Sequence, residues 1–205
     1  MSGSGPFQDK PSLRIDALSI ARGERVLFAD LSLVVEAGGY VELRGANGSG
    51  KTSLLRAIAG FLKPRTGRIA FGGVEEPALA LHYVGHLNAL KGALTARAHV
   101  AHWRAMLGGG GDIDQALARF RLTRQAHLPA RVLSQGQARR LALTRLAVAP
   151  RPIWLLDEPA AALDDAGAQI LADAIAAHRA EGGLVIAAVH APLGPTPTAT
   201  VTVGA

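Results

Sequence analysis

The sequence predicts an α/β fold around an open sheet of parallel strands, and three observations carry that reading. Four short apolar runs, at residues 40–44, 81–84, 153–156 and 184–189, each end in a polar or glycine-rich element, and in open parallel sheets ligands bind beyond the carboxyl ends of the strands. A glycine-rich stretch, GANGSGKT at residues 45–52, lies between the first of these runs and a helical pattern. The stretch between His86 and Ser134 then changes to helical character, as an insert within such a domain would. At 205 residues and 49% apolar content the chain fits one domain. We assign it to residues 13–205, with a helical subdomain at about 87–135 inserted in the core and a flexible start over residues 1–12.

The elements follow in order. Residues 13–36 alternate as short strands around a turn at Arg22, Gly23 and Glu24, and Gly38-Gly39 breaks the pattern before the strand YVELR. A helix is expected over 51–59. Another begins near Thr95, the GGGG run at 108–111 reads as a flexible surface loop, and DIDQALARF opens a further helix with acidic residues in its first turn. After Ser134, the residues Ala138, Leu141, Ala142, Leu146 and Ala149 keep helical spacing. The Thr/Pro-rich tail after Pro192 is too short for a further domain.

Composition narrows the partners. A net charge of +6 favours anions: nucleotides, nucleic acid or a lipid headgroup surface. With no cysteine there is no disulfide framework, thiolate metal site or cysteine nucleophile. The start lacks an apolar signal region and no stretch reaches the roughly 18 apolar residues that span a bilayer, so any membrane role is expected to come through partners.

GANGSGKT matches G-x-x-x-x-G-K-[ST] in the required strand-to-helix context. Its residues Gly45, Ala46, Asn47, Gly48, Ser49 and Gly50 form a loop whose N–H groups wrap phosphate oxygens. Lys51 reaches the β- and γ-phosphates and the Thr52 hydroxyl ligates Mg²⁺. IWLLDEP, residues 153–159, is a buried strand ending in two carboxylates. Asp157 is placed to hold a Mg²⁺-bound water, and Glu158 to deprotonate the water that attacks the γ-phosphate. His190 closes the last apolar strand at the same sheet edge, where an imidazole can hydrogen-bond the γ-phosphate. LSQGQ, residues 133–137, admits two readings. Ser134 can simply cap the following helix, or Gly136 can let backbone N–H groups approach an anion at the positive end of the helix dipole.

Taken together, GANGSGKT, LSQGQ, IWLLDEP and the ALD of residues 162–164 resemble the ATP-binding cassette (ABC) ATPases, in that family's order and over nearly the whole chain. The resemblance implies a RecA-like parallel core, a small antiparallel β subdomain and a helical subdomain, binding ATP and Mg²⁺ as a head-to-tail homodimer. Ser134, Gln135, Gly136 and Gln137 would then be a signature acting in trans on the γ-phosphate held by the other subunit, and Asp164 would lie in the dimer loop. Three positions depart from the family pattern. Arg22 stands where an aromatic ring often stacks on adenine, and a guanidinium can stack there instead. His86 stands where Gln usually follows the YVP-like strand, giving a pH-sensitive group for the catalytic water. Ala160, Ala161 and Ala162 leave the dimer loop without its common hydroxyl.

At finer grain, RGERVLFADLSL and YVGHLNALKGALTARAHV are similar to the family's haem-exporter branch used in cytochrome c biogenesis. That implies integral membrane partners, a place at the cytoplasmic face of the inner membrane, and haem export or release of a haem-loaded chaperone as the output. His82, His99 and His102 read as surface histidines, since two on one helix face without a carboxylate or cysteine make a poor metal site, and no direct haem binding is expected. An ABC subunit for another substrate, or a low-turnover nucleotide-switched binding module, is the alternative. Nucleic acid is not expected as a partner, because superfamily members that bind it generally carry long coiled-coil inserts or two cassettes.

Overall fold

The computed structural model of the chain describes residue 7 and residues 9–204, so residues 1–6 and 8 of the expected flexible start lie outside the described residues. The first half holds Ser12–Arg22 (β1), Arg25–Val35 (β2), Tyr40–Arg44 (β3), Lys51–Ile58 (α1), Thr66–Gly72 (β4), Pro77–Ala80 (α2) and Leu81–Val84 (β5). Then come Ala96–Met106 (α3), Ile113–Arg119 (α4), Gln135–Leu143 (α5), Arg145–Val148 (α6), Ile153–Asp157 (β6), Asp165–Ala180 (α7), Leu184–Ala188 (β7) and Ala199–Thr202 (β8).

The four apolar strands and the short edge strand β8 form one parallel sheet in the order β5-β6-β7-β3-β8, and β1, β2 and β4 form an antiparallel sheet in the order β2-β1-β4. The central strands β6 and β7 read as nearly unbroken apolar runs because both faces of the sheet are covered there. In β6, Ile153 and Leu155 pack with α1 and the antiparallel sheet, while Trp154 and Leu156 pack with the helices on the other face. In β7, Leu184 and Ile186 take the first side and Val185 and Ala187 the second. This period of two is the pleat itself. The exception is Glu42, fully buried in β3. Tyr40 Oη donates to it at 2.8 Å, Arg44 Nη2 at 2.7 Å and the Leu193 N–H at 3.3 Å, so the carboxylate is paired rather than isolated.

Several expectations are corrected. The GGGG run is not a free loop: Gly111 N–H donates to Val148 O at 3.0 Å, and a Cβ on Gly109 would run into that same carbonyl oxygen. Two of its glycines are there for close approach to α6. Of the three histidines read as surface groups, only His102 is exposed, whereas His82 and His99 are buried. His82 Nε2 meets Ala149 O at 2.6 Å and His99 Nε2 meets Lys91 O at 3.0 Å, bonds that let a neutral imidazole sit in a core. The continuous helix expected after Ser134 breaks at Thr144, whose hydroxyl donates back to Leu141 O at 2.7 Å. The tail holds β8, which extends the parallel sheet beside β3. Both β4 and α7 lie in stretches that the sequence reading leaves unassigned.

Candidate active site

The order of the parallel sheet brings four distant chain segments to one edge. Strands β5, β6, β7 and β3 are consecutive neighbours, so the loops that follow them converge although up to 145 positions separate Gly45 from His190 (190 − 45).

The loop after β3 depends on its glycines. Gly45, Gly48 and Gly50 have φ of 145°, 78° and 112°, values at which a side chain is strained. A Cβ on Gly45 would also meet the Val203 carbonyl oxygen, and one on Gly204 would lie 2.8 Å from Ser49 Cβ. Val203 N–H in turn donates to Arg44 O at 2.8 Å. The segment after β8 therefore packs directly under the loop. Lys51, 5% exposed, donates from Nζ to Gly45 O at 2.7 Å and Ala46 O at 3.1 Å. A cavity of about 450 Å³ opens here, lined by Asn47 to Ser53, Arg22, Leu27, Arg56 and Glu158 among others.

Thr52 Oγ1 donates to Asp157 Oδ1 at 3.0 Å. A hydroxyl and a carboxylate in contact form a hard oxygen pair, which fits Mg²⁺ completed by water and phosphate oxygens. Glu158 follows with φ of 49° and its N–H on Ala188 O at 3.0 Å. A positive φ is costly for a long side chain and persists only where surrounding structure over-determines it. Its carboxylate lies between two imidazoles: His190 Nε2 is 2.9 Å from Oε1 and His86 Nδ1 is 3.3 Å from Oε2. The sequence named all three residues, and the structure brings them together.

Ser134 is the N-cap of α5 in a reciprocal capping box. Its Oγ accepts from Gln137 N–H at 3.2 Å, and Gln137 Oε1 accepts from Ser134 N–H at 2.9 Å. A Cβ on Gly136 would lie 2.9 Å from Ala162 O. None of Ser134, Gln135, Gly136 and Gln137 lines the cavity at the phosphate loop of its own chain. Asp164 N-caps α7, accepting from Gly167 N–H at 2.8 Å.

A family model described as "ABC transporter" matches residues 28–161. The chain is 46% identical to the cytochrome c biogenesis ATP-binding export protein CcmA of Rhodospirillum rubrum, over 91% of this chain and 84% of the relative. It is 45% identical to the protein of that name from Hyphomonas neptunium, over 94% and 96%. The chain belongs to the ABC transporter ATP-binding family.

The fold agrees with other ABC proteins. A Pyrococcus furiosus ABC transporter ATP-binding protein superposes with a TM-score of 0.81 at 20% identity, over 94% of this chain and 97% of that one. A bacterial Atm1-family ABC exporter with ATP bound superposes at 0.82 and 23% identity, over 95% and 37%. As an ABC ATP-binding protein the chain is an ATPase. One residue of this ABC site escapes the sequence reading. Arg139 of α5, 2% exposed, donates from Nε to Pro159 O at 3.0 Å and from Nη2 to Asp157 O at 2.9 Å and Glu158 O at 2.8 Å. From Nη1 it donates to Gly85 O at 2.9 Å, His86 O at 3.4 Å and Asn88 Oδ1 at 3.1 Å. Burial pulls its pKa below the ordinary guanidinium value, while the charges of Asp157 and Glu158 oppose that. The only signal was an Arg at a core-facing position of α5, hidden among the chain's other basic residues.

Proposed function

We propose that two copies of this chain sandwich two ATP molecules, and that hydrolysis drives integral membrane partners in cytochrome c biogenesis. The observation that carries the catalytic reading is the Glu158 carboxylate, which lines the phosphate-loop cavity and is held between His190 and His86. The N–H groups of Gly45 to Thr52 and the Lys51 ammonium bind the phosphates. Thr52 and, through water, Asp157 would hold Mg²⁺, whose charge offsets that of the phosphates when it is bound. Glu158 takes a proton from water as its oxygen attacks the γ-phosphorus, and the bond to the β,γ-bridging oxygen breaks to leave ADP and phosphate. His190 hydrogen-bonds the γ-phosphate, His86 orients the water, and Arg22 stacks on the base.

The signature Ser134–Gln137 acts on the ATP of the other subunit, with Asp164 in the loop between the two. Exposure of the α5 N-terminus supports that reading, since the capping box uses the N–H groups of Ser134 and Gln137 and leaves those of Gln135 and Gly136 to meet an anion. Among the described residues no helix is long and apolar enough to cross a membrane, so attachment at the cytoplasmic face would come through membrane partners. The names of the relatives support a role in export for cytochrome c biogenesis, and the resemblance of the segments around Gly23 and His86 carries the finer reading that haem, or a haem-loaded chaperone, is what the complex moves or releases. Haem itself is assigned to a partner.

The test is Glu158→Gln. ATP binding stays intact, turnover falls by about 10²–10⁴, and a dimer accumulates with ATP in size-exclusion chromatography. Unchanged steady-state hydrolysis would remove Glu158 from the role of base.

A further inference from the structure

The loop that carries His86 is fastened from below by two arginines. Arg139 Nη1 reaches Gly85 O, His86 O and Asn88 Oδ1, and Arg145 Nη2 donates to the backbone oxygen of Asn88 at 3.1 Å. Arg145 is itself braced, with its guanidinium 4.4 Å from the centre of the Trp103 ring and its Nε on Ala142 O at 2.8 Å. The same Arg139 guanidinium holds Asp157 O, Glu158 O and Pro159 O on its other nitrogens. One planar group thus spans the segment with His86 and the segment with Glu158. Guanidinium geometry is rigid, so it sets the spacing between them.

Five of the six acceptors on Arg139 are backbone carbonyls, which any residue would supply. Asn88 is the one side-chain acceptor. A guanidinium only donates, so the amide oxygen of Asn88 must face it. Both oxygens of Asn88 are therefore held by cations, and the next residue, Ala89, takes a left-handed turn at φ 54°.

We propose that Asn88 is a positioning residue for hydrolysis, holding the His86 loop on Arg139 and Arg145 so that the imidazole stays against Glu158. The inference rests on the reading of Glu158 and His86 given above. Asn88 touches neither the cavity at the phosphate loop nor the Glu158 carboxylate, and acts through His86 alone.

Asn88→Leu keeps the volume and loses the acceptor, while Asn88→Asp keeps an acceptor for Arg139. Steady-state ATP hydrolysis of each is measured with the membrane partners supplied, in the wild-type and His86→Ala backgrounds. Asn88→Leu should lower kcat by about tenfold, in keeping with small misplacements of catalytic groups, and leave KM within about twofold. Asn88→Asp should retain most of the activity. In the His86→Ala background Asn88→Leu should cost less than about twofold, because the group it positions is already gone. Equal losses in both backgrounds, equal damage by Asp and Leu, or wild-type kcat in Asn88→Leu would each overturn the proposal. Should Asn88→Leu fail to fold, Asn88→Ala, which also lacks an acceptor, carries the same cycle with the same outcomes. Wild-type turnover by His86→Ala alone would overturn the role of His86 and this inference with it, whereas the reading of Glu158 stands or falls separately on Glu158→Gln.

Discussion

Ser134 and Gly136 each have a folding role that is separate from the contact proposed for them with a second subunit. Ser134 caps α5, and Gly136 leaves room for the Ala162 carbonyl oxygen, so both would be selected by folding alone. The two roles separate by substitution. Ser134→Ala removes the cap and should cost about 1 kcal/mol in a denaturant melt. Ser134→Arg should abolish hydrolysis while the isolated monomer still binds nucleotide, because in the proposed dimer it would obstruct the contact with the other subunit's ATP. Hydrolysis persisting in Ser134→Arg would leave only the capping role. The phosphate loop, Asp157, Glu158 and His190 were legible in the sequence because each pairs a distinctive residue with a strand end. Arg139 and Asn88 were not, since a buried arginine satisfied by carbonyls has no sequence partner to announce it. The positions of its acceptors become neighbours only when β5 and β6 pair.

Among the elements, β5 and α7 carry buried histidines that tie stability to pH. Burial pushes the pKa of His82 down to about 3 and that of His178 to about 4, from an ordinary value near 6.5. His178 stacks on Trp154 with ring centroids 3.8 Å apart, and its Nε2 lies 3.2 Å from Pro152 O. Each folded-state pKa is depressed, so the unfolded chain takes up these protons first. Stability is fully present above about pH 6.5 and should fall as pH drops towards 4 and then 3. Urea titrations at several pH values read this directly. His178→Phe, which keeps an aromatic ring on Trp154, should flatten part of the slope, and an unchanged slope would remove His178 from it. The apolar strands were readable from their unbroken runs. Helix α7 has its own sequence signal in the Asp164 cap and the spacing of Ile170, Leu171, Ala174 and Ile175, but its alanine-rich run holds no chemistry to draw notice. Strand β8 is only four residues long, and its β-branched Thr200, Val201 and Thr202 suit a strand, but its place in the sheet is set by pairing with the β3 edge.

For the whole molecule, one chain holds a phosphate loop and a signature that do not share a cavity. If each ATP is completed by two chains, hydrolysis per chain should rise with protein concentration until the dimer is saturated. A specific activity independent of concentration from the nanomolar to the micromolar range would argue for a monomeric site or a preformed dimer, which sedimentation separates. The overall architecture was legible because the order of motifs fixes which strand ends meet. The packing of the tail was not, because nothing in a Thr/Pro-rich stretch reveals that it lies against the phosphate loop. Val203 and Gly204 abut Gly45 and Ser49, so a deletion of residues 199–204 would disturb nucleotide binding from 150 positions away in the chain (199 − 49). Gly204→Val, whose side chain would press on Ser49, should weaken ATP binding likewise, and nucleotide titration of the two variants would read out how firmly the last strand supports the loop.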